Sequence, residues 1–138
     1  MIGINIRQVA SGKRKSAIAK AWIREGTGKI TINKIPYELL SSKFHVLMLR
    51  EPIDIAKRSL GDFKYDVAIT IKGGGVEGRI EAARLALAKS LVLFTKSPEL
   101  KKAFSSYDKA LLVADIRRKE PYKPGDSKAR SKRQKSYR

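Results

Sequence analysis

Gly73-Gly74-Gly75-Val76-Glu77-Gly78 satisfies the spacing G-x-G-x-x-G, and the chemistry that such spacing serves is capture of phosphate. Glycines lack Cβ, so a backbone built from them approaches an anion closely, and the free N–H groups at a helix start favour negative charge. Lys72 and Arg79 flank the run and supply cations beside it. A tight strand-to-helix turn with no ligand is the equally simple alternative. The second run is Lys13-Arg14-Lys15, three adjacent cations in a polar segment. A soluble turn is the plain alternative, but mutual repulsion among adjacent cations favours phosphate contacts.

Dinucleotide chemistry fails on context. That fingerprint needs a second parallel strand after its helix, whereas here Pro98 opens another helix, and no acidic residue at a strand end is placed to take a ribose. A nucleoside-triphosphate loop needs Lys followed by Ser or Thr after its last glycine, and Arg79-Ile80 stand there instead. The chain has no cysteine, which excludes thiol chemistry, disulfides and cysteine–zinc sites. His45, the one histidine, lies alone in a helical stretch and reads as a partly buried or surface residue rather than a metal ligand or base. Glu81, three residues before Arg84, reads as half of a solvated helix-face ion pair. No catalytic residue, metal or cofactor is expected.

Charge points the same way. The chain of 138 residues carries a net charge of +18. Residues 117–138 hold ten lysines or arginines against Glu120 and Asp126, leaving 21 basic against 11 acidic side chains in residues 1–116. Such an excess belongs beside a polyanion. The longest apolar stretch, Leu85 to Phe94, is interrupted by Lys89, so membrane is the weaker partner. The division is a globular domain over 1–116 and an extended tail over 117–138, since the tail has too little apolar surface to offset its own ordering. Trp22 suits either a core or a stacking role, and Tyr137 is the best stacking candidate.

The elements that must position these residues follow from periodicity. Alternation predicts a first strand from Ile2 to about Val9, a basic turn over 11–15, and a second strand through Ala17, Ala19, Ala21 and Ile23. Gly26-Thr27-Gly28 would close a hairpin onto a third strand at 30–32. Small alanines on one face call for a helix packed closely on the sheet. Pro36 would open a helical region that Pro52 breaks or restarts. Tyr65–Ile71 is the strongest strand, Val76–Phe94 the strongest helix, and Ser97-Pro98 starts another. The count is four strands.

Gly12-Lys13-Arg14-Lys15-Ser16-Ala17-Ile18-Ala19, Gly26-Thr27-Gly28 with Asn33, the Gly73–Arg79 loop and the ending Arg133-Gln134-Lys135-Ser136-Tyr137-Arg138 together resemble the small-subunit ribosomal protein S-nine family, in its archaeal and eukaryotic branch. The family usually has glutamine where Arg79 stands and often a glycine near Glu81. The resemblance implies a two-layer α/β (α+β) sandwich like the second domain of ribosomal protein S-five, with a mixed four-stranded sheet and helices packed on it. It implies a cytoplasmic, non-enzymatic constituent of the ribosome with no homo-oligomer, bound to small-subunit rRNA in the head beside other head proteins. The rRNA contacts would be Lys13, Arg14, Lys15, Lys72, Gly73, Gly74, Gly75 and Arg79 on the body. On the tail they would be Arg117, Arg118, Lys119, Lys128, Arg130, Lys132 and Arg133. The tail's end would reach the P site, with Lys135, Tyr137 and above all Arg138 on transfer RNA.

Overall fold

The computed structural model describes residues 8–138. Of the expected first strand, residues 2–7 lie outside the described part. What is described of it is longer at the other end: β1 (Gln8–Arg14) runs through the segment expected as a basic turn, which shrinks to Lys15-Ser16. β2 (Ala17–Glu25) pairs antiparallel with β1, placing Gly12 opposite Ala19.

The expected hairpin between β2 and β3 (Ile30–Ile32) does not form. β5 (Tyr65–Lys72) lies between them, antiparallel to β2 and parallel to β3. A side chain on β5 explains the insertion. The Asp66 carboxylate accepts backbone N–H bonds from Thr27, Gly28 and Lys29 at 2.9–3.0 Å, so the turn wraps around β5 instead of closing on β2. Gly26 completes it, because a Cβ there would lie 2.2 Å from that carboxylate. With β4 (Ile35–Pro36) at its edge, the sheet has five strands among the described residues, in the order β1-β2-β5-β3-β4, one more than expected. β4 is taken from the segment expected to begin a helix. Proline, which cannot donate to a ladder, sits there on the edge strand.

α1 (Lys43–Leu60) starts after Ser42 and passes through Pro52 unbroken. Proline loses one backbone bond, but Leu49, Pro52, Ile53 and Ala56 are all buried together, and that packing holds the helix. α2 (Val76–Thr95) and α3 (Pro98–Tyr107) fall where periodicity places them, and Ser97 Oγ accepts the Leu100 N–H at α3's start.

The alanines explain how tightly α2 seats. Ala17, Ala19 and Ala21 are fully buried, as are Ala82, Ala83 and Ala86 on the helix. Gly12 lets the two backbones meet: a Cβ there would stand 2.2 Å from the Ala82 carbonyl oxygen and 2.7 Å from the Ala86 nitrogen. Ile23, Val67, Ile69, Leu87, Leu91, Leu100 and Phe104 complete the same core. The result is an α/β domain with a mixed sheet whose helices gather on one face. Beyond a 3-10 turn at Lys109–Leu111, which buries Leu111, residues 117–138 form no helix or strand and only bend near Pro124-Gly125 and Ala129-Arg130.

Candidate nucleic-acid interface

The fold brings the two basic motifs to one corner. The Lys15-Ser16 turn ends the β1–β2 hairpin, and the glycine run that follows β5 folds directly against it. Gly73 and Gly74 have φ of +73° and +71°, the left-handed region open to glycine. Their inner sides leave no room for a side chain: a Cβ on Gly73 would be 2.7 Å from the Ser16 carbonyl oxygen, and one on Gly74 2.6 Å from Ala17 Cβ. Gly75 then caps α2, with open space where its Cβ would be. A groove of about 330 Å³ opens between Lys15-Ser16 and Gly74–Gly78, floored by Arg14 and Glu81.

The cations at this corner have different duties. Lys13 and Lys72 are exposed and lie in one register row across the sheet, either side of Ile18. Lys15, at φ +52°, projects from the turn and is exposed. Arg79 is also exposed, and its Nε donates to the Gly73 carbonyl at 3.0 Å, bracing the loop. Arg14 is turned inward. Its guanidinium pairs with Glu81 on α2 and with Asp115, and its side chain is only 16% exposed. Glu81 therefore does not form the helix-face pair expected with Arg84. Arg84 instead reaches Glu51 on α1 at 2.5 Å and Asp108 at 3.1 Å, tying three helical segments together.

Carboxylates beside the loop are likewise occupied. Glu77, in the first turn of α2, lies 2.8 Å from Nε2 of His45, which is buried and links α1 to the loop rather than facing solvent. Asp115 is held well below the usual carboxylate range, first by the Arg117 guanidinium, then by the Arg117 backbone N–H, with Arg14 adding to both. Asp115 thus clamps the tail's first residues to the body. Sequence reasoning missed this clamp and the Asp66 nest alike. An acidic residue standing alone before a basic run, and another at the start of a strand after a glycine turn, are the signals that mark them.

Beyond the clamp, most of the tail's contacts among the described residues run between its own side chains and backbone. Arg118 donates to the Asp115 and Arg117 carbonyls, Lys119 sits 4.6 Å from the Tyr122 ring centroid, Arg130 pairs with Glu120 at 2.7 Å, and Arg133 with Asp126 at 2.5 Å. Lys128, Lys132, Lys135 and Arg138 form no ion pair among the described residues, and Tyr137 is 87% exposed. Among the described residues no group of histidines and carboxylates could hold a metal ion, and no helix is long and apolar enough to cross a membrane.

Comparison with known proteins identifies the family. A sequence profile described as Ribosomal protein S9/S16 matches residues 12–138. Proteins named small ribosomal subunit protein uS9 are similar over 129 residues. One from a strain of Methanococcus maripaludis is 51% identical, and one from Methanococcus vannielii is 50% identical, each alignment covering 92% of this chain and 95% of the relative. The chain belongs to the ribosomal protein S9/S16 family.

Proposed function

We propose that the protein is a non-enzymatic structural constituent of the small ribosomal subunit whose body docks on rRNA in the head and whose tail reaches P-site transfer RNA. The observation that carries the reading is the convergence of Lys13, Lys15, Lys72 and Arg79 around the glycine run. Four exposed cations surround a backbone that a phosphate can approach closely. The parallel β3–β5 pair with its intervening helix fits the expectation of a domain like the second one of ribosomal protein S-five. The tail supplies reach. At roughly 3.3 Å per extended residue its 22 residues span about 70 Å, far beyond the body's own footprint. Arg117, Arg118, Lys119, Lys128, Arg130, Lys132 and Arg133 neutralise rRNA phosphates along that path, and Lys135, Tyr137 and Arg138 meet transfer RNA at its end. The Arg130–Glu120 and Arg133–Asp126 pairs are exposed and exchange for phosphate at little cost.

The test is the salt dependence of binding to a head rRNA fragment. A phosphate-dominated interface with six or more contacts loses on the order of a thousandfold in affinity between 50 and 200 mM salt. A flat response overturns the reading.

A further inference from the structure

Among the described residues no helix packs on the sheet face opposite α2, and the register of that face can be read row by row. Lys13, Ile18 and Lys72 form one row, Ser11, Lys20 and Thr70 the next, Val9, Trp22, Ala68 and Thr31 the third, with Arg24 and Asp66 beyond. The third row holds a step in size. Trp22 stands beside Ala68, and the missing bulk opens a groove of about 510 Å³ edged by Arg24 and Lys29, within the range of clefts that hold small planar ligands.

Charge decides what the face can take. Lys13, Lys20, Arg24, Lys29 and Lys72 are all exposed around it. Asp66 is the one carboxylate among these rows, and it is already spent: one oxygen accepts three backbone N–H groups and the other faces Arg24 at 3.4 Å. Lysine is depleted at the centres of protein–protein interfaces, whereas a lone aromatic ringed by cations is the usual platform for an unstacked base. Resting on the rRNA reading above, we propose that this open sheet face is a second RNA-binding surface, in which Trp22 stacks on an unpaired nucleobase and the flanking lysines take the adjoining phosphates. Duplex RNA cannot substitute, because its bases keep their faces stacked inside the helix.

Trp22 is the chain's one tryptophan, so its fluorescence reports this groove alone. Single-stranded RNA titrated into the full-length protein should quench the indole emission, and a blunt duplex of the same sequence should not. Trp22→Ala should lower affinity for the single strand about tenfold, in line with the loss of one base stack, while Trp22→Phe retains most of it. Ala68→Leu, which fills the groove and leaves the indole in place, should weaken binding as Trp22→Ala does and abolish most of the quenching. If the head rRNA fragment binds with a steep salt dependence but the indole is unquenched and both groove variants bind normally, this proposal fails while the rRNA reading stands. If that fragment does not bind at all, both fall. Quenching by polyglutamate and not by RNA would assign the face to an acidic protein and overturn the proposal.

Discussion

The loop corner and the tail both carry exposed cations, yet they place them by opposite means. At the corner, backbone packing sets each position: Gly12 admits α2, Gly73 and Gly74 seat the loop on the hairpin, and Arg14 is locked by Glu81 and Asp115. In the tail, charge is placed by order along the chain, and the contacts that shape it are exposed ion pairs between its own residues. The difference teaches where specificity can reside. A preorganised corner can select an RNA shape, because its cations are already at fixed separations. A tail whose cations are set only by chain order would carry reach and salt-dependent affinity instead.

Substitutions should separate the two regimes. The largest effect belongs to Gly12→Val, which drives side-chain atoms into the α2 backbone. We expect a loss of about 3 kcal/mol or more, read as collapse of the thermal transition. Arg14→Ala comes next. It strands Glu81 and frees Asp115, and should cost about 2 kcal/mol while loosening the tail's root. Proteolysis should then release residues 117–138 faster than in the parent.

Asp66→Asn should cost about 1–2 kcal/mol, since a charged acceptor of three amides becomes a neutral one. Its pH signature is specific. The Lys29 amide leads, followed by the Thr27 amide, the Arg24 charge and the Gly28 amide, in holding the carboxyl below its ordinary value. A depressed folded-state value means that stability is fully present above about pH 4 and drains away as pH falls through the folded-state value. Parent and variant should therefore converge in stability as acid is added, which denaturant melts across that range would show. The smallest stability effect is Arg130→Ala in the tail, which should leave the thermal transition where it is in the parent, although RNA affinity should fall and the salt slope flatten by about one phosphate.

Much of this contrast was legible in the chain. The period-2 alanines announced a close helix, and α2 and α3 lie where their apolar spacing and the Ser97-Pro98 start place them. Other parts depend on distant partners that no local pattern records. The hairpin onto β3 gave way because Asp66, nearly forty positions away, captures the turn's amides. Pro52 does not break α1 because its neighbours are buried against other helices. Three adjacent cations at Lys13–Lys15 looked equivalent, but strand alternation sends Arg14 inward to two carboxylates while Lys13 and Lys15 stay exposed. Local type fixes a residue's chemistry; the fold decides whether that chemistry remains available.

The division of labour between an anchoring body and a reaching tail is tested most directly by a photocrosslinker at position 138 in assembled, tRNA-bound subunits. The reading expects crosslinks to transfer RNA or to the rRNA of the P site. Crosslinks confined to the rRNA that the body itself binds would contradict it.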